Sequence, residues 1–152
     1  MPRTYSSLTL EDAKQMLSAA EAKAASLGIP YCVAVVDAAG HLVAFVRQDC
    51  ALIGSVDLAI GKATTARIFD KTTADLATLA QPGKPLFGIQ ERNAAKVVIF
   101  GGGVPVVLDG TIVGVGASAG TVEQDIEVAE AAIAALGQWA QSSDDLNLKP
   151  PL

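Results

Sequence analysis

Six residues carry most of the chemistry open to this chain: His41, Arg47, Lys62, Gly102, Gly103 and Asp125. Arg47 ends the run HLVAFVR, where it continues an apolar face formed with Val43 and Phe45, and an arginine in that position needs a partner or a ligand. A guanidinium binds a carboxylate through two parallel hydrogen bonds, so Arg47 is a candidate anchor for an anionic small molecule. Lys62 is a second candidate cation, and Asp37, Asp49 and Asp125 are the carboxylates that would pair internally with either one. Asp125 falls in the first turn of a helix, where the helix dipole alone favours it, and either it or Lys62 can serve as a proton carrier. Gly101-Gly102-Gly103 interrupts the run VVIF…VPVVL. Three glycines in a strand pattern mark a bulge or a close approach of a ligand to the backbone, whose N–H groups can stabilise an enolate-like oxygen. The Gly120-Thr121 helix start offers free N–H groups to an anion in the same way.

Other patterns carry less. His41 is the only histidine and sits at a turn, as an exposed residue or as the one imidazole a Ser-His-Asp arrangement could use. Cys32 and Cys50 form neither a CxxC motif nor a metal-ligand spacing, and no metal site is expected. Gly114, Gly116 and Gly120 give GxGxxxG rather than the dinucleotide GxGxxG, and they read as sites of close helix–sheet packing. Sixteen acidic against eleven basic residues leave a net charge of −5, the wrong sign for a nucleic-acid partner. From Arg47 to Lys96 the balance reverses to seven basic against five acidic residues, which makes the middle of the chain the place for an anionic ligand. The alternative there is a solvated helix face.

The elements that must position these residues follow from periodicity. Leu10, Ala13, Leu17, Ala20, Ala24 and Leu27 recur three and four apart behind Thr9, and Gly28 stops the helix. Residues 31–37 and 41–49 form two apolar runs across Ala38-Ala39-Gly40, a hairpin. Ser55 is the expected N-cap of a helix over 56–69, and a second helical piece covers 72–80. Residues 81–93, with two prolines and two glycines, read as a long loop. VPVVLDGTIVGVGAS is a second hairpin, with Asp109-Gly110 as a type I′ turn. Thr121 and Gln124 form a capping box for a last helix that should bury Val122, Ile126, Ala129, Ile133, Leu136 and Ala140. The expected fold class is α+β, one domain over 1–140 with a polar tail over 141–152, helices lying against a small antiparallel sheet. No stretch reaches a membrane span and the start lacks an apolar leader core, so a cytoplasmic protein is expected. At 51% hydrophobic and 18% charged residues, some apolar surface should be covered by another copy, as a homo-oligomer.

Four ordered blocks carry a wider likeness. GIPYCVAVVDAAGHLVAFVRQD (28–49), IGKATTA (60–66), FGGGVPVVLDGTIVGVGASAG (100–120) and QDIEVAEAA (124–132) together resemble the GlcG/HbpS-like family, from Leu8 to about Ala140. The resemblance implies a profilin-like α+β fold, dimers or larger assemblies, and a small-molecule pocket near the GGGVP segment and the start of the last helix. It leans towards haem or a related tetrapyrrole as the ligand, since the family includes proteins associated with haem binding. It does not extend to an adenosyltransferase domain, so that activity is not implied. Two functions follow. The first is binding of haem or a related tetrapyrrole, with Arg47 or Lys62 pairing with its acidic groups and His41 the only imidazole available to iron. The second is a small catabolic enzyme, of isomerase, hydratase or decarboxylase type, acting on an anionic organic acid that Arg47 anchors.

Overall fold

The computed structural model describes residues 1–92, 94, 96–137 and 140–142, the last three by their backbone alone. Its centre is β1 (Cys32–Val36), a five-residue apolar strand that is buried on both faces. An antiparallel hairpin joins it to β2 (Leu42–Arg47). Asp37 shapes the turn: its Oδ1 accepts the backbone N–H groups of Ala39 and His41, each at 2.9 Å. A register shift between Val35 and Val36 sets two residues against one, and this corrects the expected face of β2. Phe45 and Arg47 remain on one face, but Val43 is turned to the other, because the extra residue of a bulge reverses the alternation.

The second hairpin comprises β3 (Gly103–Leu108) and β4 (Thr111–Ser118). Asp109 and Gly110, at φ +47° and +78°, make the expected two-residue turn with both central residues left-handed. Backbone pairing of β5 (Ala140–Ser142) with β3 completes an antiparallel sheet in the order β2-β1-β4-β3-β5.

Helices cover both faces. On one side lie α1 (Leu10–Leu27) and α4 (Val122–Ala134), which pack Ala13, Met16, Leu17, Ala20, Val128, Ala129 and Ala132 against Val33, Val35, Val106, Val113 and Val115. Both start with complete capping boxes, Thr9 with Asp12 and Thr121 with Gln124. On the other side α2 (Ser55–Phe69) sets Ala59 and Ala63 against Cys32, Ala34 and Val36. The short α3 (Thr73–Leu79) follows, capped by Thr72, and one 3-10 turn (Ile89–Glu91) lies in the long loop. Among the described residues no helix is long and apolar enough to cross a membrane.

Three sequence expectations shift. Ser55 is the first residue of α2 rather than its cap, which is Gly54 and carries no side-chain bond. The last helix ends at Ala134, with Gly137 left-handed at φ +56°, and Ala140 belongs to the edge strand. Its inward face is Asp125, Val128, Ala129 and Ala132, while Val122 is exposed, because the helix is rotated to bring Asp125 inside.

The contact of α2 with the sheet is backbone on backbone. A Cβ at Gly114 would collide with the carbonyl of Ala63, one at Gly116 with the carbonyl of Ala59, and one at Gly103 with that of Lys62. Along β4 these glycines alternate with Val113, Val115 and Ala117, which face α1 and α4. One face is thus emptied of side chains so that a helix can sit directly on it. Gly116→Ala is expected to destabilise the protein by about 2–3 kcal/mol, the usual cost of overpacking. Gly54→Ala, with nothing near its added methyl, should change stability by less than about 0.5 kcal/mol. Urea unfolding of the two variants checks both values.

Candidate functional site

Close approach of α2 to the sheet determines where Lys62 goes. Its side chain leaves the helix beside Gly102 and Gly103 and reaches the start of α4, on the far side of the sheet. Its surface exposure is 0%, and Nζ donates to Asp125 Oδ2 at 2.6 Å and to the Ala117 carbonyl at 3.0 Å. The Phe100 ring lies over the ammonium, its centroid 4.6 Å away. The other Asp125 oxygen accepts the N–H groups of Ala119, at 3.1 Å, and Gly120, at 3.0 Å. Gly102, at φ +119°, has no room for a side chain: a Cβ would lie 2.8 Å from Lys62 Nζ and 2.7 Å from the Ala117 oxygen. The Gly103 N–H is taken by Thr73 Oγ1 at 2.9 Å.

Tyr31 closes this node from the α1 and α4 side. Its hydroxyl is buried without a hydrogen-bond partner and is turned towards Gly120, where a Cβ would approach it to 2.6 Å. Burial, and then the Asp125 charge, hold the phenol well above the ordinary tyrosine range. For Lys62, burial lowers the ammonium below the ordinary 10.5, and the Asp125 hydrogen bond and charge oppose that shift. What results is an amine, a carboxylate and a phenol gathered out of water, with one aromatic ring over the amine.

Of the six residues singled out from the sequence, Lys62, Gly102, Gly103 and Asp125 meet here. Lys62, one of the two cations expected to pair with a ligand, is bonded internally to Asp125, the alternative partner the sequence offered. Gly102 and Gly103 likewise approach Lys62 rather than an open pocket. Arg47 is exposed on edge strand β2, across the sheet from Cys32 and Ser118, and makes no ion pair among the described residues. His41 is at the other end of the sheet, in the β1–β2 turn.

There it lines a groove of about 550 Å³ between that turn, α2 and the segment 96–98. Leu42, Leu58, Ile60 and Val98 supply apolar wall, and Asp57, Thr64 and Lys96 supply polar groups. Thr65 holds the third side in place: its hydroxyl donates to the Lys96 carbonyl at 3.2 Å and accepts the Val98 N–H at 3.0 Å. Gly61 leaves the space that Val98 occupies, since a Cβ there would come within 2.9 Å of Val98 Cγ2.

Residues 8–134 match the family described as haem degrading protein HbpS-like. The chain belongs to the HbpS-like family. It is 43% identical over 127 residues to an uncharacterized 15.0 kDa protein in the dhaT-dhaS intergenic region of Citrobacter freundii, covering 83% of this chain and 89% of that one. It is 40% identical over 130 residues to the corrinoid adenosyltransferase PduO of Salmonella typhimurium, covering 85% of this chain and 39% of that protein. Among solved structures it is similar to a PduOC:haem complex, with a TM-score of 0.84, 39% identity, and coverage of 89% of this chain and 97% of the other.

Sequence reasoning did not find Tyr31, Phe100 or the groove residues Asp57, Leu58, Lys96 and Val98. Phe100 had a signal, an aromatic directly before three glycines, and Lys96 shared in the basic excess between Arg47 and Lys96; Val98 had none, because segment 96–98 is neither helix nor strand and is tied to α2 through Thr65. Removing one member of the buried pair, as in Asp125→Ala, is expected to cost about 3–5 kcal/mol, whereas Lys62→Met/Asp125→Leu should cost much less. Denaturant unfolding of the two variants checks this. Because the folded state lowers the ammonium, the unfolded chain binds more protons between that lowered value and 10.5, and folding stability gains with pH across this window. Wild-type stability relative to the double variant should therefore rise as the pH approaches 10; a constant or falling difference would contradict the assignment.

Proposed function

We propose that this protein binds haem or a related tetrapyrrole in the groove lined by His41 and Lys96. The observation that carries this reading is the make-up of the groove. It joins the only imidazole of the chain, a flexible cation and an apolar wall of Leu42, Leu58, Ile60 and Val98 around about 550 Å³, within the range typical of small-molecule sites. A tetrapyrrole needs these three things: apolar surface for the ring, a cation for its carboxylates and a nitrogen for iron. Membership of the HbpS-like family and similarity to a protein solved with haem support it. Lys96 replaces Arg47 and Lys62 as the cation for the acidic groups, since Lys62 is paired inside and Arg47 lies at the opposite end of the sheet. Self-association belongs to the same reading, supported by the exposed apolar side chains Leu52, Ile53 and Phe87.

A haemin titration followed by visible absorbance is expected to show a saturable Soret change that shifts its maximum in His41→Ala. Lys96→Ala should keep the wild-type spectrum and weaken affinity by up to about fivefold, the worth of one exposed ion pair. Absence of a saturable change overturns the ligand. A Soret change that neither substitution alters overturns the groove.

A further inference from the structure

Lys62 is completely buried beneath a partly exposed aromatic ring. Phe100 covers the ammonium at 4.6 Å and is itself 38% exposed. The three residues after it are glycines, and Gly101 is packed so closely on α4 that a Cβ would lie 2.7 Å from Val122 Cγ1. The backbone is held close against α4 at this point, and the Phe100 ring is the group whose displacement would uncover Nζ. The space so vacated has the size of a phenyl ring. Its floor is an ion pair of zero net charge, which repels neither sign but offers nothing to a second carboxylate. A small uncharged electrophile suits such a site better than an organic acid.

We propose that Lys62 is a reactive amine that condenses with short-chain aldehydes, with Phe100 as its gate and Asp125 as its proton carrier. In the first step the ammonium passes one proton to the Asp125 carboxylate, 2.6 Å away. The free amine then adds to the carbonyl carbon, the C=O electron pair moves to oxygen, and a proton shifts from nitrogen to oxygen to give a carbinolamine. Asp125 returns its proton to that hydroxyl, the C–O bond breaks, water leaves, and the nitrogen lone pair forms the C=N bond. The product is a protonated imine paired with the regenerated carboxylate, so one aldehyde is consumed and one water released. Burial favours this chemistry, because a lowered ammonium holds more free amine near neutral pH than an exposed lysine does. The Ala117 carbonyl keeps the nitrogen in place, and the N–H groups of Ala119 and Gly120 hold Asp125. This site is separate from the His41 groove and does not rest on haem binding.

The test is reductive trapping of the folded, full-length protein with acetaldehyde and sodium cyanoborohydride near pH 7, with site-resolved peptide mapping over time. Lys62 is expected to be ethylated severalfold faster than the exposed Lys14 and Lys84. Phe100→Ala should accelerate Lys62 further and leave Lys14 and Lys84 unchanged. A Lys62 rate equal to or below that of the exposed lysines in the wild type overturns the proposal, with urea-unfolded protein showing that the Lys62 peptide is detected when modified. Labelling that occurs only in Phe100→Ala also overturns it, since the ring would then be a seal and not a gate. Should that variant fail to fold, the wild-type rates decide alone.

Discussion

The backbone contact between α2 and the sheet governs the rest of the structure. Gly103, Gly114 and Gly116 clear a strip of the sheet, and Ala59 and Ala63 present the helix surface that fits it. Little apolar area is buried per residue on this side, so its strength comes from dispersion between closely packed backbones rather than from large side chains. The opposite face carries the bulkier valines and two capped helices. This asymmetry makes α2 the element whose position is most exactingly set, and both candidate sites take their geometry from it. One side of α2, from Asp57 to Thr64, forms a wall of the His41 groove, and the same stretch sends Lys62 past the sheet.

A buried ion pair is weak ground for stability, because desolvating two charges offsets most of their attraction. Its structural consequence here is specific. Lys62 and Asp125 belong to helices on opposite faces of the sheet, and their bond passes where β3 has only glycine. The rotation of α4 follows from it: a carboxylate directed inwards leaves Val122 outside, at the cost of an exposed apolar residue. Tyr31, with an unpaired hydroxyl against the same carboxylate, shows that this region is organised around Asp125 and not around maximal apolar burial.

Family membership and fold leave chemistry undetermined, since function resides in sites rather than in scaffolds. The two ends of this sheet differ in kind. At the β1–β2 turn an open groove mixes an imidazole, a cation and an aliphatic wall. Where β1 and β3 begin and β4 ends, polar groups are enclosed and satisfy one another except for Tyr31. The groove and the buried ion pair are thereby kept apart by the length of a strand.

Much of the fold was legible from local rules. Thr9 with Asp12, Thr121 with Gln124, and Asp109-Gly110 announce their helix starts and turn because capping and left-handed turns depend only on neighbours in sequence. The glycines of β4 were readable as packing sites for the same reason, being the only residues that leave a strand face bare. The bulge at Val35, the rotation of α4 and the strand at Ala140 were not, since each is decided by what lies across the sheet. The sequence by itself determined that Lys62, Asp125 and the glycine run were unusual, and that His41 was the only imidazole. Tertiary structure alone decided that the first three would meet one another and that His41 would stand apart with Lys96, because those separations are bridged by packing between layers, for which the chain has no local code.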